Sequence, residues 1–463
     1  MKKKQNFVWK GIDLEALREV MDEPSDKVVK KLYEETQSMD HLRDLLKKMA
    51  ENDSVVSHEF PDVIHDFIQS ELDMKFSEED IRHFKKAHDI WKNHGMQFVF
   101  VLFFRALPYT YMAEKPANVL SSTKLLITHA TRRIFETAQF VFDVMDEGWW
   151  LPHERGILTA LKVRIMHAAM RHVILARSNE VEKWNKEWGM PISQEDLVAT
   201  NQVFSLEFFK GMEMLGYEFT ADDKESWFHT WKTIGRIMGV EERLISKDVE
   251  EAWSLQHQIY AHLFKDETQA GIPLAKALVE TLHHFHLPLK LCLMIMKRML
   301  ADEQFPDCFE RMLGPTYKEE FPELFHVPQS EEEKHQHEAE LRGHYHEHLK
   351  KYYDTLKEKR PDYQREKPAR NFLERILLWV LVIFQGNYKK THAIDIHLDK
   401  MHNILHHEET GEPIEEMEED LIVESMTIFG GIMVGILSFH FRKGKNSGFR
   451  IPETLQDNWS LKG

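Results

Sequence analysis

The chain of 463 residues is 42% hydrophobic, enough for a sizeable core, and its formal net charge of −17 argues against nucleic acid and an anionic membrane surface as electrostatic partners. Acidity leaves a neutral, greasy ligand open. Its two cysteines, Cys292 and Cys308, are too few for a disulfide framework and suit a reducing compartment.

The opening stretch, MKKKQNFVWKGIDLEALREV, begins with lysines but carries no apolar run behind them. No signal peptide is predicted, and the protein is expected to stay inside the cell. From Asp13 to about Lys92 the pattern is amphipathic and rich in charge, which predicts an outer helical layer over residues 1–92. Within it Ser77 is a predicted N-cap, with Glu79 and Asp80 in the first helical turn. MQFVFVLFFRALP, residues 96–108, is too short to span a bilayer and reads as a core helix stopped by Pro108. Arg105 inside that run reads as a solvated end position, with a buried anion contact as the alternative.

Two helices follow that carry chemistry. The first, TKLLITHATRRIFETAQFVFDVM, repeats apolar residues at helical spacing and is predicted to be internal. Arg133 and Thr137 stand four apart and share a face, which sets a fixed positive charge beside a hydroxyl, with Glu136 next to them. The second, ILTALKVRIMHAAMRHVIL, is apolar nearly all round, yet carries Arg164, His167 and Arg171 at i, i+3 and i+7. Guanidiniums cannot discharge, so on such a helix they need anionic partners. Two readings stand. In one, Arg164 and Arg171 pair with core carboxylates and His167 is a hydrogen-bonded core histidine. In the other, a cofactor brings both the carboxylates and an iron, namely haem, with His167 as axial ligand and the arginines on the propionates. No C-x-x-C-H occurs, which excludes covalent c-type haem attachment.

Beyond this pair, Gln194 to Gly216 and Lys224 to Gly239 predict helices with the aromatic residues Phe204, Phe208, Phe209, Trp227 and Trp231, read first as core. Leu274 to Leu300 predicts a long apolar helix interrupted by Pro288. Strand signals are scarce, and the chain reads as helical throughout. Residues 315–370 break the composition, with EEEKHQHEAELRGHYHEHLKKYYDTLKEKRPDYQREKP almost all charge, His and Tyr, and predict an exposed helical insertion. There His344 and His348 have chelating spacing but read as a solvated face. RILLWVLVIFQG (375–386) and SMTIFGGIMVGILSFHF (425–441) read as core helices, with membrane contact as the alternative. The predicted organisation is an N-terminal layer (1–92), a core (93–314), the insertion (315–370) and C-terminal helices packing on the core (371–463).

The run ITHATRRIFETAQFV followed by RIMHAAMRH resembles the catalytic domain shared by latex-clearing protein (rubber oxygenase) and the mycophenolic-acid-pathway oxygenase MpaB. The resemblance extends over FVFVLFFRALPYTYM before it, and over LVATNQVFSLEFFKGMEMLGYEFT and WKTIGRIMGVEERLI after it, roughly residues 40 to 300. The closing GFRIPETLQDNW is similar to how members of this family end. It implies an all-α fold, a globin-like helical core with additional peripheral helices, holding a non-covalent haem b. By the same resemblance His167 is the proximal iron ligand, Arg164 and His172 share its haem-contacting helix, and Arg133 and Thr137 lie on the distal side. Where rubber-cleaving relatives carry a distal lysine, this chain has Glu136. Their glutamate near the cleaved double bond finds Glu114 a few positions away.

The expectation is therefore a haem b-dependent oxygenase that uses O2 on a small hydrophobic, unsaturated, isoprenoid-like substrate. A non-catalytic haem-binding or haem-sensing protein is the alternative, and a di-iron carboxylate oxygenase is the weaker rival. The latter needs E-x-x-H pairs on facing helices. Glu280/His283, Glu323/His326 and Glu332/His335 are about the number that composition supplies by chance.

Overall fold

The computed structural model describes residues 7–36, 61–122, 130–152, 154–176, 183–264, 268–284 and 289–326, with two single positions at 354 and 358. The C-terminal apolar segments, the His344/His348 pair and most of the charged insertion lie outside the described residues.

The fold is all-α, with one small exception at the N-terminus. Val8–Trp9 and Ile12–Asp13 pair antiparallel as a two-residue hairpin, which the periodicity did not predict. Its turn residues Lys10 and Gly11 both take positive φ, the geometry that a two-residue hairpin loop needs. The chain continues through α1 (Leu14–Leu17), α2 (Glu23–Thr36) and α3 (Asp62–Leu72) to the long α4 (Glu78–Val101). Ser77 caps α4 as predicted: its hydroxyl accepts from the Asp80 amide, and Asp80 returns the bond to the Ser77 amide.

Pro108 does not stop this helix. Residues Leu102–Ala106 widen into a π-helical turn, and α5 (Leu107–Tyr111) runs on through Pro108. A proline lacks an N–H and crowds the carbonyl four residues earlier, and the wider turn accommodates both defects. After α6 (Glu114–Ser122) come α7 (Ala130–Val144) and α8 (Arg155–Leu175), the two helices singled out from the sequence. The predicted helix over 194–216 is α9 (Gln194–Gln202), a second π turn (Val203–Glu207) and α10 (Phe208–Met214). Then follow α11 (Ala221–Ile237), α12 (Val249–Leu263), α13 (Gly271–His284), α14 (Leu289–Met299) and α15 (Cys308–Tyr317). Pro288, the predicted interruption, lies outside the described residues, between the end of α13 and the start of α14. Among the described residues no helix is long and apolar enough to cross a membrane.

The aromatic residues form core, as read. Trp227 stacks on Phe208 with ring centroids 4.5 Å apart, Trp231 stacks on Phe204 at 5.1 Å, and both tryptophans are buried. Phe98 of α4 joins them, so the long helix is pinned to α11 by rings that each remove large apolar area from water. Cys292 and Cys308 are both free and buried, and burial pushes the Cys308 thiol up to about 12.

Arg105 departs from its predicted solvated position. It is fully buried where the two π turns meet, with Nε donating to Glu207 Oε2 at 2.6 Å and Nη1 to the Met299 carbonyl at 2.6 Å. Tyr260 donates its hydroxyl to the other Glu207 oxygen at 2.8 Å. Breaking one half of such a pair strands a buried charge, whereas replacing both halves with apolar groups removes the desolvation cost as well. Arg105→Met is expected to lower unfolding stability by about 3 to 5 kcal/mol, and Arg105→Met with Glu207→Met by clearly less. Urea denaturation of both variants checks this, and equal losses would count against the pairing.

Candidate functional site around His167

Helix α8 presents two different faces. One, made of Gly156, Ile157, Ala160, Leu161, Ile165 and Ala168, is buried in the core. The other is half-buried and runs at helical spacing through Thr159, Val163, Met166, His167 and Met170. His167 therefore sits on an apolar, partly accessible stripe halfway along the helix.

The arginines on either side of it point to protein carboxylates. Asp22, at the entrance to α2, forms a complete two-pronged bridge with Arg164: Nε donates to Oδ2 at 2.7 Å and Nη2 to Oδ1 at 2.9 Å. The third arm, Nη1, donates to the Ile237 carbonyl at 3.2 Å and lies 3.1 Å from Glu71 of α3. One helical turn along α2, Asp26 accepts from Arg171 Nε at 2.9 Å, while Arg171 Nη1 donates to the Ile192 carbonyl at 2.7 Å. The second bridge is incomplete. Arg171 Nη2 and Asp26 Oδ2 are both buried and make no hydrogen bond. Burial pushes the Asp26 carboxyl above the usual aspartate value, against the pull of Arg171. His172 is half-buried, packs its ring 5.0 Å from Tyr33 of α2, and is held below the usual histidine value by burial.

Helix α7 packs along α8 and exposes part of Glu136 and Thr137, while Ala138 and Val141 go into the core. Arg133 lies on α7 four residues before Thr137, and its side chain falls outside the described residues. At the end of α7, Asp143 accepts from Arg155 Nε at 2.7 Å and from the Thr159 hydroxyl at 2.8 Å, which fixes the start of α8. Glu114 opens α6 with both carboxylate oxygens engaged, one by Asn118 Nδ2 at 3.1 Å and one by the Ala270 amide at 2.8 Å. It thus ties α6 to the start of α13, a helix that packs on both α6 and α7. Of the E-x-x-H pairs, Glu280/His283 and Glu323/His326 are described, and among the described residues no three or more His, Cys, Asp or Glu side chains gather to hold a metal ion.

Sequence reasoning identified the need for anions but not their source. Asp22 and Asp26 lie about 140 residues from their arginines, and nothing local marks them. A second buried network went equally unseen. His262 is fully buried between two glutamates, 2.6 Å from Glu195 and 2.6 Å from Glu15, while Arg18 pairs with Asp196. Burial raises the Glu195 carboxyl above its ordinary value.

A family model described as "ER-bound oxygenase mpaB/B'/Rubber oxygenase, catalytic domain" matches residues 91–326, about half of the chain and the whole of α7 and α8. The chain belongs to the MpaB/rubber oxygenase family. A rubber oxygenase of Streptomyces sp. (strain K30) is 29% identical over 153 residues, which is 32% of this chain and 35% of that relative. The match therefore spans about a third of the curated relative. The solved structure of latex clearing protein LCP in the closed state superposes over 68% of this chain and 86% of its own, with a TM-score of 0.50 and 21% identity. That likeness shows a shared helical fold, consistent with the predicted globin-like core. The α2 carboxylates that hold α8 lie before the stretch matched by the MpaB/rubber oxygenase model.

Gly239, just after α11, covers the first bridge. It takes φ +94°, and a Cβ there would press on Asp22 Oδ2 and lie 2.9 Å from Arg164 Nε. Gly148 also has positive φ, but its Cβ would meet the movable end of Leu151. Gly239→Ala is expected to cost clearly more than the about 1 kcal/mol set by backbone strain alone for Gly148→Ala. Thermal melting of the two variants compares them directly.

Proposed function

We propose that this protein is a haem b-dependent oxygenase that uses O2 to oxidise a hydrophobic, unsaturated, isoprenoid-like substrate, by cleavage of a carbon–carbon double bond. The observation that carries the proposal is the placement of His167: a half-buried imidazole amid Val163, Met166 and Met170, on a helix inside the family's catalytic-domain match. Such a stripe fits a flat apolar cofactor, which His167 would hold through its imidazole nitrogen. When bound, the haem supplies the iron that activates oxygen.

The protein's own groups have separable roles. His167 would hold the iron when haem is bound. Arg164, with all three arms engaged, fixes the helix, and Arg171 Nη2 is the guanidinium nitrogen with capacity left for a cofactor carboxylate. His172 supports the same helix against Tyr33. From the neighbouring α7, Arg133 and Thr137 supply a permanent cation and a hydroxyl to stabilise negative charge that develops on oxygen. Glu136 replaces a nitrogen donor with a carboxylate, so the distal side is left open to small ligands. Glu114 serves by holding α6 against α13 near that side.

The purified protein supplemented with haem should show a Soret band, and acid-acetone should extract the chromophore. His167→Ala should lose the band or shift it. A wild type that takes up no haem overturns the proposal. One that takes up haem but refuses carbon monoxide and imidazole and consumes no polyprenyl or terpenoid alkene is a haem carrier instead.

Arg133→Ala should keep its haem while oxygen-dependent alkene consumption falls on the order of a hundredfold, the usual loss for one oxyanion-stabilising contact. A normal rate would remove Arg133 from the chemistry.

A further inference from the structure

Helix α8 is a long helix whose functional imidazole is bracketed by two arginines, three residues before and four residues after it. Among their partners both arginines share one element, α2 and its entrance, where Asp22 and Asp26 stand one turn apart. Two bridges between the same two helices fix both the rotation of α8 about its axis and its slide along α2. Rotation is what decides whether the stripe holding His167 faces the neighbouring α7 or turns into the core, since successive positions on a helix are about 100° apart.

The two bridges are unequal. At Arg164 every guanidinium arm is engaged, the Phe67 ring lies 5.3 Å from the guanidinium, and the Ser25 hydroxyl donates to Asp22 Oδ2 at 2.6 Å. Gln194 backs the same spot by donating to the Gly239 carbonyl at 2.9 Å. At Arg171 one prong is made and the other is unmade on both partners. The bridge before His167 is complete, and the one after it is half-made, with Arg171 Nη1 also donating to the Ile192 carbonyl at 2.7 Å.

We propose that Asp22 and Asp26 are positioning residues for His167, with Asp22 setting the rotation of α8 and Asp26 allowing its C-terminal half to adjust when the imidazole takes its ligand. The inference rests on reading His167 as the functional imidazole. Groups that hold a metal-binding histidine in orientation change affinity by about tenfold to a hundredfold when removed.

The test uses the full-length chain, wild type, Asp22→Asn, Asp26→Asn, Asp22→Glu and the exchanged pair Asp22→Arg with Arg164→Asp. In haem-free protein, modification of His167 by diethyl pyrocarbonate is followed by mass spectrometry. In haem-supplemented protein, haem loss to apomyoglobin and the Soret position are measured. Asp22→Asn should change the His167 modification rate and speed haem loss by about tenfold or more. Asp26→Asn should do so by less, and Asp22→Glu and the exchanged pair should recover part of the effect. If Asp22→Asn lowers the melting temperature yet leaves the modification rate, haem loss and Soret position unchanged, the clamp is merely structural and the proposal is overturned. Should Asp22→Asn fail to fold, the ranking rests on Asp26→Asn, and no change there overturns the proposal. If the wild type takes up no haem but Asp22→Asn changes the His167 modification rate, the oxygenase reading fails while the positioning role stands.

Discussion

The bridge between Asp22 and Arg164 is the constraint on which the rest of this structure depends. A guanidinium cannot lose its charge, so burying one commits the chain to delivering an anion to the same place in the same geometry. Here the anion comes from the far N-terminal side of the sequence, and three other elements must close around it: the Ile237 carbonyl at the end of α11, Glu71 of α3, and the backbone of Gly239. The same strand of chain repeats the device along its length. Glu15 bonds His262, Arg18 pairs with Asp196, Asp22 with Arg164, and Asp26 with Arg171. Successive charges of one short stretch thus fasten α12, α9 and α8. An N-terminal segment that looks peripheral is the fastening of the site.

The second commitment of this kind lies where the two π turns meet. A π turn adds a residue to the helical path and rotates all that follows, and it costs hydrogen-bond quality. In α4 that extra residue lets the helix continue through Pro108, and in both turns it brings a charged side chain, Arg105 and Glu207, to face the other. The backbone irregularity and the buried ion pair account for each other. Asp302, 3.4 Å from Arg105, also receives Lys210, which carries the network from the core to a partly exposed lysine.

Together these networks leave α8 fastened on one side and partly accessible on the other. The buried face of α8 is small and apolar, with Gly156, Ala160 and Ala168 allowing close packing, while the opposite stripe keeps His167 and two methionines within reach of a ligand. Methionine is polarizable and adaptable, suited to a large flat ligand rather than to a fixed polar one.

Much was legible in the sequence alone. Helical periodicity fixed the all-α class, Ser77 and Asp80 marked the start of α4, and the aromatic residues of 194–239 declared themselves core, because caps and apolar stripes are written in neighbouring residues. His167 stood out for the same local reason, as a histidine between two arginines on a greasy helix, and the surrounding motifs carried the family. Tertiary structure decided what lay at the other end of each charge. Nothing near Arg164 or Arg171 in sequence names Asp22 or Asp26, and Arg105 read as a solvated end because its partner Glu207 is about a hundred residues away. Pro108 read as a stop because the rule for proline is local, whereas the π turn that carries the helix through it is held by contacts with another π turn. A side chain's need for a partner follows from its own chemistry and is visible in one dimension. The identity of that partner depends on which distant helices pack together, and that is settled by the fold.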